Sequence, residues 1–370
     1  MKKKIAIGFL GNLYFDTRTF NLFHSLKNKG HNVKFYGFDW LTLDFKTINT
    51  GEISVKKLNK GRFSVFYYLR FTISLFVSLF KTKADIYFAS DFYAMPVCVF
   101  IAKLKQKKVF YDSREIYTEL PALTGRPALK KTFKIIEGFF INKIDEVFTT
   151  GEMDSEYIEK LFGIKKINVL RNLPVYKKNY VPVDFIGKYK LPPDSKIILY
   201  QGIIVTGRGI DTYYKALLKD NSFVLVILGG GEHKDYYEKK ADELKISERV
   251  IFAGKISQNE LANYTSGAFA GLSVIDNTSI NNYYALPNKL FEYIMAELPV
   301  IVSDLPQMKK IVERYKVGAV IKDSNADELI EVLNTWKNEE IYNKLKENCK
   351  IASGELNWDA EIEKKYRLFE

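Results

Sequence analysis

The sequence predicts an α/β protein built from two Rossmann-like halves, and three observations predict it. Short apolar runs alternate with stretches of helical spacing, as parallel sheets with crossover helices require. The alternation stops in a segment rich in Tyr, Pro and Lys at 175–195, then restarts. Glycine turns stand directly after strand-like runs, at Gly11, at Gly202 and at Gly229-Gly230-Gly231.

In the first half, strands are expected at 5–10, 33–38, 85–89, 108–111, 146–149 and 169–170. A helix at 19–29 carries Phe20, Phe23 and Leu26 at helical spacing, and Gly30 supplies its stop. In the second half, strands are expected at 196–200, 223–228, 250–253, 270–274, 299–302 and 319–321. Helices follow at 211–218, 289–296 and 325–348, and residues 356–370 read as a closing amphipathic helix. The segment 175–195 reads as a linker. The domains are therefore expected at 1–178, joined by 357–370, and at 179–356.

Composition narrows the function. With 47% hydrophobic residues among 370, the chain can bury two cores. Its two cysteines, Cys98 and Cys349, form no CxxC pair, and none of His24, His31 and His233 stands at metal-ligand spacing from another. No Asp-x-Asp pair follows a strand, so no metal site is expected. The net charge of +12 is lopsided: residues 1–180 hold 31 Lys and Arg against 16 Asp and Glu, residues 181–370 hold 25 against 28. A basic half suits anionic lipid, diphosphate or nucleic acid. No recognised nucleic-acid-binding motif accompanies it. The start, MKKKIAIGFLGN, has too short an apolar run for a signal peptide and reads as a first strand.

The apolar run FSVFYYLRFTISLFVSLF at 63–80 falls short of the roughly 20 residues of a span and carries Arg70. Lys56, Lys57, Lys60 and Arg62 precede it, and Lys81 and Lys83 follow. It is expected as a buried or membrane-facing helix.

The segment PNKLFEYIMAELPVIVSD at 287–304 carries the strongest chemical signal. Pro287 and Asn288 favour a helix start, whose amides can face an anion, and Glu292 lies one turn after Asn288 on the same side. A carboxylate there can accept two hydrogen bonds from a ribose diol. The same periodicity also fits a plain crossover helix. In YQGIIVTGRGI at 200–210, Gly202 admits close backbone approach, and Arg208 offers a two-pronged fork to phosphate oxygens.

With PNKLFEY, PVIVSD and YQGIIVTGRGI, the chain resembles the family-4-type glycosyltransferases of GT-B fold, bacterial glycan-building enzymes. The resemblance implies two Rossmann-like domains facing a cleft, with the C-terminal helix crossing back to the first. It implies Glu292 at the ribose, and Asn288, Lys289 and Leu290 near the diphosphate. Gly202 and Arg208 serve the donor loop, Gly230 another close approach, and Lys255 and Ile256 the base. In the first half, Gly11 and Asn12 resemble the family's acceptor-side loop, and Arg114 and Glu115 are taken as cleft residues. Arg208, Lys289 and Arg114 are the expected catalytic cations. Two departures stand out: Tyr284 occupies the position of the motif's usual first glutamate, and Ile203 that of a frequent arginine.

The function so implied is retaining, metal-independent transfer of a hexose from a UDP- or GDP-linked donor to a glycan or lipid-linked acceptor. No separate cofactor is implied. The expected location is the cytoplasm, peripheral at the inner face of the membrane. Two alternatives remain at this point: a GT-B sugar-nucleotide epimerase, and a basic α/β protein that binds nucleic acid.

Overall fold

A computed structural model of the chain describes residues 2–39, 46–59, 64–165, 167–322 and 325–370. Lys60, Arg62 and Phe63, which belong to the expected 63–80 helix and its flank, lie outside them. The backbone divides into two units, Met1–Asn172 with Trp358–Glu370, and Leu173–Asn357.

In unit 1 the strands are β1 (Lys4–Gly8), β2 (Asn32–Asp39), β3 (Ile48–Asn49), β4 (Ile53–Lys57), β5 (Ile86–Ala89), β6 (Lys108–Ser113), β7 (Glu146–Thr149) and β8 (Ile167–Val169). They form one sheet in the order β3-β4-β2-β1-β5-β6-β7-β8. Every pairing is parallel except β3 with β4. The helices are α1 (Thr17–Asn28), α2 (Ser64–Phe80), α3 (Met95–Leu104), α4 (Pro127–Ile141) and α5 (Glu152–Phe162). Apart from Lys4 and Lys108 at their starts, the central strands β1, β5 and β6 are buried, as a sheet covered on both faces demands. Asp16 starts α1 by accepting from the Thr19 amide at 2.8 Å, and Gly163 ends α5 in the left-handed region at φ 69°.

In unit 2, α6 (Phe185–Tyr189) precedes β9 (Lys196–Gln201), α7 (Ile210–Leu217), β10 (Phe223–Leu228) and α8 (Lys234–Glu243). Then come β11 (Val250–Gly254), α9 (Gln258–Ser266), β12 (Ala270–Ser273), α10 (Ile280–Tyr283) and α11 (Asn288–Met295). The unit closes with β13 (Val300–Ser303), α12 (Pro306–Tyr315), β14 (Gly318–Ile321), α13 (Ala326–Thr335) and α14 (Glu339–Glu355). Its sheet is wholly parallel, ordered β11-β10-β9-β12-β13-β14. The order reverses beside β9, so the loops after β9 and β12 leave the sheet at its switch point.

The structure corrects the expected elements in four places. β3 and β4 were not anticipated, because ISVKK puts lysines on a half-buried strand near the sheet edge that pairs with β2 through Ile53 and Phe35. The expected linker contains α6, pinned where Phe185 meets Tyr264 edge-on at 5.9 Å between ring centroids. The single helix expected at 325–348 is two, since Asn338 starts α14 by accepting from the Ile341 amide at 3.2 Å. The chain's last helix is short, α15 (Trp358–Glu363), followed by a 3₁₀ turn at Tyr366–Phe369.

That C-terminal segment belongs to unit 1. Trp358 donates from Nε1 to Ser25 Oγ at 2.8 Å, and Phe369 is fully buried against Phe88, Phe110 and Phe148. The expected return of the chain to its first half is present.

Candidate functional site

The expected donor residues of unit 2 gather around the carboxyl ends of β9, β10 and β11, where loops interlace. The Gly202 amide donates to Leu228 O at 2.9 Å, the Ile204 amide to Gly230 O at 3.1 Å, and the Gly229 amide to Gly254 O at 2.8 Å. Such close crossing explains Gly229 and Gly231; a Cβ at Gly231 would sit 2.2 Å from Ile204 O. Gly229 has φ 149°, and a Cβ there would sit 1.9 Å from the Gly202 carbonyl oxygen. A Cβ at Gly230 would meet the Lys255 stem at 3.6 Å, which places Lys255 over this loop with its head exposed and Ile256 half-buried behind it.

Arg208 stands between Gly207 and Gly209, both left-handed, at φ 77° and 78°. The Asp276 amide fastens the loop by donating to Gly207 O at 3.0 Å. Arg208 itself is half-buried and, among the described residues, forms no hydrogen bond or ion pair.

Lys289 stands in the first turn of α11, whose start has Pro287 at the cap and no side chain closing its amides. Its residue surface is only 8% exposed, its Nζ has no hydrogen-bond partner among the described residues, and the ammonium lies 3.9 Å from the Tyr200 ring centroid. Burial, and after it the charge of nearby Arg208, hold the Lys289 amine well below its ordinary range, with Glu292 opposing. A Cβ at Gly202 would come within 3.9 Å of this nitrogen. Gly202, Arg208 and Lys289 therefore surround one spot.

Glu292, one turn on, accepts a hydrogen bond from Gln201 Nε2, and Gln258 also bonds it. Burial raises its carboxyl, while these bonds and Lys289 pull the other way. Asn288 is exposed at the helix start. The Leu290 side chain is wholly buried in the core, and its amide donates to Pro287 O at 3.1 Å. Tyr284 caps the end of α10, half-buried, with its carbonyl accepting from Gln307.

Sequence reasoning missed Gln201, Tyr200 and Thr265. Gln201 is 4% exposed, donates to Glu292 and pairs through Oε1 with the Thr265 hydroxyl at 3.0 Å. The available signal was a polar residue closing an otherwise apolar strand at its carboxyl end.

In unit 1, Gly11 and Asn12 are spent on structure. Gly11 O accepts from the Phe38 amide at 2.9 Å, and Asn12 donates to Asp39 at 2.8 Å while its Oδ1 accepts from the Tyr14 amide at 3.1 Å. The Arg114 guanidinium, expected to face a ligand, is held by Asp16 at 2.6 Å, Asp112 at 3.3 Å and the Thr19 hydroxyl, over the Phe9 ring. Its charge is neutralised where it stands. Glu115 is exposed beside it, with its backbone carbonyl accepting from Ser113 Oγ at 3.2 Å.

The unit 2 arrangement fits one ligand chemistry well. Two cations that have no ion-pair partner among the described residues and a helix start without a side-chain cap converge at strand ends, with a carboxylate one turn away. Residues 184–353 match the family model for glycosyl transferases group 1. An uncharacterised glycosyltransferase of Methanocaldococcus jannaschii is 25% identical over 161 residues, which span 42% of this chain and 40% of that relative. The sucrose-phosphate synthase of Thermosynechococcus elongatus superposes with a TM-score of 0.81 at 18% identity, covering 100% of this chain and 98% of its own. HepE of Anabaena, solved with UDP-glucose, superposes with a TM-score of 0.75 at 13% identity, covering 99% of both chains. The fold is GT-B, as in these solved structures, and the segment 184–353 is similar to the group 1 glycosyltransferases.

Proposed function

We propose that the chain transfers a hexose from a nucleoside diphosphate sugar to a glycan or lipid-linked acceptor, with retention and without a metal. The observation that carries the reading is the meeting of Arg208 with the buried, unpartnered Lys289 Nζ at the carboxyl end of β9. A cation buried without a counter-ion costs stability unless an anion completes it. A diphosphate supplies that anion, and Glu292 is one helical turn away to accept the ribose hydroxyls.

In such a reaction the bond from the anomeric carbon to the diphosphate breaks, and negative charge grows on the leaving oxygen. Arg208, Lys289 and the start of α11 are positioned for that charge, the electrostatic task that transferases of this kind must perform. UDP-glucose, the molecule solved with HepE, supports a UDP-hexose as donor. The excess of basic residues in 1–180 supports an anionic, lipid-linked acceptor and work at the inner face of the cytoplasmic membrane.

Calorimetric titration with UDP and GDP tests the donor site. Micromolar binding of one of them, weakened at least tenfold in Arg208→Ala and Glu292→Ala, is expected. Unchanged affinity in both variants would remove the site.

A further inference from the structure

The outward face of α2 is apolar, which is unusual for a helix whose other face already lies in a core. Tyr67, Phe71, Leu75 and Leu79 recur every four residues and are buried. Phe38 meets Phe71 edge-on at 4.9 Å, and Leu75 fills the space above Gly8. On the opposite side Phe66, Leu69, Ile73, Val77 and Phe80 recur every three or four residues and are exposed, Phe66 by 61% and Ile73 by 55%. Phe76 bridges this stripe to exposed Phe100 of α3, with ring centroids 6.0 Å apart. A monomer in water has no reason to keep such a stripe.

Charge identifies what covers it. Between residues 53 and 84 there is no Asp or Glu, and none between 92 and 111. Arg70, Lys81 and Lys83 are exposed beside the stripe. Lys105 closes the helix by donating to Leu79 O at 3.1 Å, Phe80 O at 2.7 Å and Thr82 O at 2.7 Å. A second copy of this face would bring like charges together, whereas an anionic bilayer supplies both apolar depth and counter-charge. The helix cannot span instead. Its 17 residues reach about 26 Å at 1.5 Å per residue, short of a hydrocarbon core, and its inner face is locked in the unit. Among the described residues no helix is long and apolar enough to cross a membrane.

We infer that the Phe66–Leu69–Ile73–Val77–Phe80 face of α2, with Phe100 of α3, lies in the headgroup layer of an anionic lipid bilayer. This rests on the proposed function only for its purpose, the bringing of unit 1 to a lipid-linked acceptor; the contact itself is independent of catalysis.

Flotation of the full chain with phosphatidylglycerol-containing vesicles and with pure phosphatidylcholine vesicles tests it. Expected is retention by the anionic vesicles only, weakened at least tenfold by Ile73→Glu/Val77→Glu and severalfold by Arg70→Glu/Lys81→Glu/Lys83→Glu or by 0.5 M salt. All these positions are exposed, and UDP titration of each variant should match wild type. No retention by anionic vesicles, or retention indifferent to Ile73→Glu/Val77→Glu, overturns the inference. So does a dimer in analytical ultracentrifugation that the same pair dissolves. Loss of UDP binding in wild type would instead overturn the donor reading and leave the bilayer result standing.

Discussion

Lys289 Nζ rests 3.9 Å from the centroid of the Tyr200 ring, buried and without a hydrogen-bond acceptor among the described residues. The ring face favours the charged amine, but burial and then Arg208 outweigh it and lower the amine's affinity for protons. The same burial pushes the Tyr200 phenol up to about 12, with Arg208 opposing, so the ring offers no counter-charge.

A diphosphate arriving here raises the Lys289 amine again, since opposite charge favours the protonated form. Between the free and bound values, binding must take up protons. Titration of UDP in two buffers of different ionisation enthalpy should therefore show net proton uptake in that window. Affinity should decline as pH rises through the bound value. Lys289→Arg should abolish the uptake, and Lys289→Met should weaken binding by about 2 kcal/mol, roughly thirtyfold.

Gln201 predicts a different readout. Its Nε2 donates to Glu292 and its Oε1 pairs with Thr265 at 3.0 Å, so the amide fixes which way the carboxylate points. Gln201→Leu keeps the volume and removes the grip. A ribose diol held by an oriented carboxylate is preferred over a 2′-deoxyribose by about tenfold, the worth of one charged hydrogen bond. The ratio of UDP to 2′-deoxy-UDP affinity should collapse toward unity in Gln201→Leu. A variant weakened equally for both ligands would show that Gln201 merely supports the fold.

Gly229 predicts through the backbone. At φ 149° and with a new Cβ 1.9 Å from Gly202 O, Gly229→Ala must push apart the loops after β9 and β10. A cost of about 2 kcal/mol or more follows, together with weaker UDP binding, because Gly202 borders Lys289. Gly230→Ala, whose Cβ meets only the Lys255 stem at 3.6 Å, should be far milder. Melting curves and UDP titrations of the pair check the contrast.

These residues also show what the sequence could and could not reveal. Period and glycine placement located most strands, because buried parallel strands are apolar runs with sharp ends: 146–149 and 223–228 coincide with β7 and β10. The β3–β4 edge escaped, since its lysines interrupt the pattern that burial on two faces imposes. The α11 segment that carries Lys289 and Glu292 was legible as a helix start at Pro287-Asn288. Gln201 was not, because its role depends on a contact 91 positions away that no local pattern encodes. Arg114 looked like a ligand group, but Asp16, nearly a hundred positions earlier, claims it.

The last prediction concerns unit 1 and its pH dependence. Glu137 of α4 is 2% exposed and accepts from the Tyr111 hydroxyl at 3.0 Å. Burial lifts its carboxyl from 4.5 to about 7, with the Tyr111 bond opposing. The native state thus holds a proton that the unfolded chain has released, and stability falls as pH rises from about 4.5 to about 7. Above that window the loss is constant, on the order of 3 kcal/mol at 1.36 kcal/mol per unit. Asp91, raised to about 6 by burial against the bonds from the Ala94 and Leu10 amides, adds a loss of the same sign. Glu137→Gln keeps an acceptor for Tyr111 and cannot ionise. It should leave the melting temperature near that of wild type at pH 4.5 and raise it by roughly 5 °C or more at pH 8. Parallel slopes for variant and wild type between pH 4.5 and 7 would show that Glu137 is ionised in the folded chain.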